Sequence, residues 1–168
     1  MVSAIERRCA DDLSEAIEML FPMDTDDAII DWDGYKLSLS YKYDISVIID
    51  DVLYMFKKLI KGEDKNIVVA FGSNTFSVDW KIECVSETLK INSKWTSVVG
   101  NIEPELNLLP DMEIPKDSFI ENWIQILLTI NQAIGKTQIT MKDSSAIDQL
   151  KEIVQMYNIK GELRGHNT

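Results

Sequence analysis

The stretch MDTDDAIIDWDG, residues 23–34, crowds five aspartates together: Asp24, Asp26, Asp27, Asp31 and Asp33. Carboxylates at that density can ring a hard cation, take part in acid–base work, or offer negative charge to a partner. A helix-loop-helix calcium site needs acids at alternate positions, glycine at the sixth and glutamate at the twelfth. Counted from Asp24, Ile29 falls where the glycine belongs; counted from Asp31, Gly34 comes too early and Lys42 stands where the glutamate belongs. The spacing therefore points away from calcium and towards a solvated acidic face or a partner-binding edge.

The other reactive residue types are sparse. Asp50 and Asp51 form a carboxylate pair that could hold magnesium, but adjacent helical residues point about 100° apart and do not converge. His166 is the sole histidine, and the chain has neither a Gly-x-Ser-x-Gly elbow nor a glycine-rich phosphate loop. Cys9 and Cys84 lie on apolar stripes and are expected to be reduced, buried and inert, which leaves no thiolate or imidazole cluster for zinc, iron or copper. No cofactor is expected. Trp32, set among the aspartates, is either the anchor of a partner interface or a staple that ties the segment down.

The net charge of −11 disfavours phosphate backbones and anionic membranes as direct partners and makes a basic protein the plausible one. Residues 1–33 hold ten acids against Arg7 and Arg8, a net of −8, and the remaining chain carries only −3. Lys36, Lys42, Lys81, Lys90 and Lys94 fall on the polar phases of the strands, so the open sheet face is expected to be mixed or mildly basic. It lacks the interleaved aromatics on which single-stranded nucleic acids stack. No apolar run is long enough to span a bilayer, and charges interrupt the first twenty residues where a signal peptide needs an unbroken apolar core, so a cytoplasmic location is expected.

The elements that must position these residues are legible from periodicity. At 168 residues, 45% hydrophobic and 27% charged, the chain suits one domain that buries roughly 70% of its unfolded surface. Apolar positions from Ile5 to Phe21 trace an amphipathic helix over 4–21, and Tyr35 to Tyr43 alternate as a strand with one wet face. A helix over 45–61 follows, capped by Asp44 or Ser46 and stopped at Gly62. IVVAF at 67–71, then 76–84 and 89–95, are strands whose short connections favour an antiparallel meander. Residues 100–115, with three of the four prolines, read as an irregular surface connection. Ser118 and Glu121 form a capping-box pattern for a helix over 117–134; TQITM is a short strand, and a last helix covers 144–157. The expected fold is α+β: one domain over 1–160 with an antiparallel sheet of four to five strands, helices packed mainly on one face, and a flexible tail over 161–168.

With a strand such as YKLSLSY, a helix such as DISVIIDDVLYMFKKLIKG, a three-strand meander and a late helix such as DSFIENWIQILLTINQAIG, the chain resembles the small acidic immunity proteins of bacterial polymorphic-toxin and contact-dependent inhibition systems. That resemblance implies inhibition by binding, in which acidic side chains close a basic cleft or exosite on a cognate toxin, often a nuclease, and no enzymatic activity of its own. On this expectation Asp24, Asp26, Asp27, Asp31 and Asp33 are the electrostatic contacts, Trp32 the anchor, and Glu103, Glu105 and Asp111 a second acidic edge. Two other classes share part of the evidence: an acidic DNA mimic that blocks a nuclease or restriction enzyme, and a metal-dependent hydrolase built on the aspartates.

Overall fold

The computed structural model describes residues 8–23 and 26–165. The architecture is α+β in one domain, and its centre is a four-stranded antiparallel sheet in the order Asn66–Gly72, Phe76–Val85, Thr88–Val98, Met112–Pro115. β4 (Asn66–Gly72), β5 (Phe76–Val85) and β6 (Thr88–Val98) are the expected meander, with Val69 opposite Trp80 and Ile82 opposite Ile91. One face is apolar because every second residue is: Ile67, Val69, Phe71, Phe76, Val78, Trp80, Ile82, Leu89, Ile91 and Trp95 are all buried.

Two helices cover that face. α2 (Ser46–Lys61) buries Ile48, Ile49, Val52, Leu53, Phe56 and Leu59, and Gly62 ends it in the left-handed conformation at φ 66° with its amide on the Lys58 carbonyl. α4 (Lys116–Gly135) lays Phe119 and Trp123 on the sheet, with the Trp123 ring 5.5 Å from Trp80 and 5.8 Å from Phe71. α5 (Ser145–Gly165) packs on α2 and α4, and α1 (Leu13–Leu20) packs on α2. Among the described residues no helix covers the opposite face of the sheet, as expected for helices packed on one side.

Several elements differ from the expectation. The strand read over Tyr35–Tyr43 does not join the main sheet. It is β3 (Tyr35–Ser40), the second arm of a separate hairpin whose first arm is β2 (Asp27–Trp32). Asp33 at φ 50° and Gly34 at φ 87° form the two-residue turn between them, the positive-φ pair that matches strand twist. β3 stops at Ser40 because the Ser40 hydroxyl accepts the Tyr43 amide and the Asp44 carboxylate accepts the Ser40 amide, a reciprocal cap that opens a π-helical turn, Tyr41–Ile45, leading into α2. The cap is thus Ser40, where Asp44 or Ser46 was expected.

α1 starts at Leu13 and not at residue 4. Asp12 takes the Glu15 amide as its N-cap, and the residues before it, β1 (Cys9–Ala10), pair in parallel with β8 (Thr140–Met141). The stretch 100–115 is not irregular. Glu103–Leu108 form a short helix, α3, with Pro104 in its first turn, and β7 (Met112–Pro115) pairs with β6 as an edge strand that ends on its proline. Ser118 caps nothing, since α4 begins at Lys116 behind Pro115, and α5 continues past the expected end at 157 to Gly165.

Candidate functional site

β2 alternates strictly. Ile30 and Trp32 point into the core, with Ala28 half-buried on the same side, while Asp27, Ile29 and Asp31 point out. The outward phase makes an exposed strip with an isoleucine, 60% exposed, between two aspartates, and Asp33 extends it at the turn. On the neighbouring arm the same face carries Lys36, Ser38 and Ser40. The Asp27 carboxylate accepts the Ser38 hydroxyl at 2.9 Å. Asp31 accepts the Lys36 ammonium and the Gly34 amide, and the Lys36 hydrogen bond is the chief reason its carboxyl sits below the usual carboxylate range. Asp26 is half-buried at the root of the hairpin, where its carbonyl takes the Tyr41 amide. Asp24 lies outside the described residues.

Trp32 is not part of this surface. It is 4% exposed and stacks on Trp80 with centroids 4.9 Å apart, while Trp95 meets it edge-on at 5.3 Å. Of the two readings the staple holds, and the anchor role is corrected: the inward phase of β2 takes Trp32 down to the sheet. Ile29 is the exposed apolar side chain that the residue types alone did not single out. Its signal was the alternation Asp27, Ile29, Asp31, visible once Asp33-Gly34 is taken as a hairpin turn with a strand on both sides.

The second acidic edge is split. Glu103 accepts the Val98 amide at 2.6 Å and serves to hold α3 on β6, and Asp111 accepts the Asn92 side-chain amide at 2.9 Å. Glu105 is exposed near Leu108, which is 86% exposed. Asn107 brackets the Trp95 backbone with bonds to its amide and carbonyl, so α3 is pinned to the same tryptophan that Trp32 leans on.

The open sheet face, expected to be mixed or mildly basic, is mixed and charge-balanced. Its rows run Asn66, Glu83, Lys90, Glu113 and Ala70, Asp79, Lys94, while Lys36 and Lys42 belong to the hairpin and the turn before α2. Opposite charges directly across a strand pair neutralise the field that a nucleic acid would need.

Asp50 and Asp51 are exposed on the outer side of α2. Partial burial, with Asp50 beside it, raises the Asp51 pKa above its ordinary value. Tyr43, Val47 and Tyr54 are exposed along the same outer side at four- and seven-residue spacing, a stripe that exists because Tyr43 lies in the π-helical turn and not in the strand expected over 35–43.

Asp44 is the one buried carboxylate among the described residues, at 1% exposure. It takes the Ser40 amide at 2.9 Å, the Ser73 hydroxyl at 2.6 Å and the Thr75 hydroxyl at 2.5 Å. Fully partnered and without access to solvent, it joins the hairpin, α2 and the β4–β5 turn as a structural knot.

The two cysteines are not the buried pair expected. Cys9 is exposed because α1 begins after it, and Cys84 is half-buried at the end of β5, where burial pushes its thiol pKa up. Both are free. His166 lies outside the described residues. Among the described residues no three His, Cys, Asp or Glu side chains are placed to hold a metal ion, and no helix is long and apolar enough to cross a membrane.

The largest cavity described, about 510 Å³, lies between α4 and the end of α5. Within its lining Arg164 pairs with Asp117, and the Tyr157 hydroxyl donates to Glu121 at 2.8 Å. No protein-family model, curated protein or solved structure matches this chain.

Proposed function

We propose that this protein neutralises a basic partner by binding it, as an immunity protein holds a cognate toxin, with a basic nuclease domain as the partner class. The observation that carries the reading is the outer face of β2, where Ile29 stands exposed between Asp27 and Asp31 with Asp33 at the turn, in a chain of net charge −11. An apolar side chain framed by carboxylates has the anatomy of a small contact centre with a charged rim. The rim steers encounter with a positive surface and speeds association, which matters for an inhibitor that must act before its target does. The hairpin is fastened from beneath by the Trp32 stack, so the strip is presented on a rigid element rather than a loop. Asp31 supports this use, because Lys36 and the Gly34 amide keep it ionised below the ordinary carboxylate range.

The test is capture by the full chain from its native host's lysate at low and high salt, run beside a variant with Asp26, Asp27, Asp31 and Asp33 changed to asparagine. A single basic protein held stoichiometrically, loosened by salt and lost from the variant supports the reading. So does inhibition of that protein's activity by the parent chain and not by the variant. A partner held equally by both chains overturns it, as does recovery of nothing from a host that expresses a basic toxin. Recovery of several DNA-binding proteins, each displaced by DNA, would replace it with a DNA-mimic reading.

A further inference from the structure

The free edge of the main sheet is β4, and it is unlike the other edge. β7 is four residues long, carries Glu113 outward and ends on Pro115, which has no amide to offer. β4 reads NIVVAFG, seven residues with no charge and no proline. Its backbone polarity is settled by two flanking bonds: the Lys65 carbonyl accepts the Cys84 amide at 2.7 Å, and the Ser73 amide donates to the Phe76 carbonyl. Odd-numbered residues between them therefore bond to β5, and the amides and carbonyls of Asn66, Val68, Ala70 and Gly72 point away from the sheet. None of the hydrogen bonds described for residues 8–23 and 26–165 uses those groups. The side chains above them are exposed, Val68 at 65%, and a Cβ built on Gly72 would meet nothing within 4 Å.

We infer that β4 is a strand-pairing site for a second copy of this chain, joined antiparallel across a two-fold axis at Val69. In that register Val68 of one copy lies opposite Ala70 of the other, Ile67 opposite Phe71, and Asn66 opposite Gly72. Every cross-strand pair is uncharged, and the outward groups of Val68 and Ala70 meet as a hydrogen-bonded pair. The flanking row completes the match. Lys81 stands beside Val68 and Asp79 beside Ala70, so each row across the junction runs from a lysine of one copy to an aspartate of the other. Pairing stops at two because β7 is protected, which closes the assembly as a dimer with one eight-stranded sheet.

The test is sedimentation velocity of the full chain from about 5 to about 500 µM protein, in about 0.05 and about 0.5 M NaCl. Dimer should appear with rising concentration and tighten several-fold at the higher salt, because two chains of net charge −11 repel. Salt has the opposite effect on capture of a basic partner, so the two readings fail separately. Ala70→Pro removes an outward amide, and Val68→Glu places a carboxylate at the junction while facing Lys81 within its own chain. Each should weaken the dimer at least tenfold while retaining the parent's circular dichroism. Val68→Glu alone decides the matter if the proline variant does not fold. A monomer at every concentration and salt overturns the inference, as does a folded Val68→Glu variant that dimerises like the parent.

Discussion

Asp44→Ala removes the acceptor of three donors, and the structure says what becomes of each. The Thr75 hydroxyl is at the surface and turns to water, while the Ser73 hydroxyl keeps the Phe76 carbonyl at 3.0 Å. The half-buried Ser40 amide is left with nothing, so one half of the reciprocal cap on the π-helical turn is lost, while the Ser40 hydroxyl still accepts the Tyr43 amide. A hydrogen bond to a charged group contributes about 1.5–3 kcal/mol and a stranded buried donor costs about 1–3 kcal/mol, against which the alanine no longer holds a charge out of water. The net expectation is about 3 kcal/mol of stability lost. At about 2–4 °C per kcal/mol for a domain of this size, Tm falls by roughly 6–12 °C. Asp44→Asn keeps one oxygen for the Ser40 amide and turns its own amide to the two hydroxyls, so it should cost about half as much. Urea unfolding followed by circular dichroism at neutral pH, with the slope unchanged between variants, measures both. An alanine variant within about 1 kcal/mol of the parent would refute the knot, and so would an asparagine variant as damaged as the alanine.

The two side chains that exchanged roles in the hairpin should separate by stability. Trp32→Ala is expected to cost about 3–5 kcal/mol in urea unfolding, and Ile29→Ala under about 0.5 kcal/mol; similar losses for both would contradict the assigned faces of β2. Iodoacetamide at neutral pH should modify Cys9 well before Cys84, as read by peptide mass spectrometry, because Cys9 is exposed and burial holds the Cys84 thiol protonated; the reverse order would contradict it. Asp51→Asn should raise Tm at neutral pH and leave it unchanged in acid. The folded-state pKa of Asp51 is raised, so its ionised form opposes folding above that pKa, and protonation removes the penalty as pH falls. A gain that persists equally at both pH values would show that charge is not the cause.

What the residues disclosed beforehand follows from how each element earns its place. α2, α4 and the β4–β6 meander show through because each buries a broad apolar face whose period is set by the element alone. β2 was hidden because three of its six residues are acids or alanine, poor strand formers, and its strand character comes from pairing with β3 and from Trp32 reaching Trp80. α3 and β7 were hidden by prolines that read as breaks, although Pro104 sits in a first helical turn and Pro115 at the end of an edge strand, the places where proline is tolerated. The start of α1 slipped because Asp12 captures the Glu15 amide, and that shift also brought Cys9 to the surface. For the acidic strip, the charges were legible and their allocation was not. Lys36 engages Asp31 and Ser38 engages Asp27 because the hairpin register brings them across, and the two-residue Asp33-Gly34 turn sets that register only once a strand is recognised on both sides of it.

The stacked indoles under the hairpin also make its docking visible to light. Trp32 and Trp80 lie with their planes 9° apart and Trp95 stands nearly upright against both, so their excited states are expected to couple and to contribute to the near-ultraviolet circular dichroism. Trp32 is the only one of the three that belongs to the hairpin; the others belong to the sheet. Lifting the hairpin while the sheet stays folded would erase the coupling with Trp32, leave Trp80 and Trp95 still facing each other, and hardly touch the far-ultraviolet helix band. A partner that engages the acidic strip and strains the hairpin would therefore announce itself in the unlabelled protein's own spectrum.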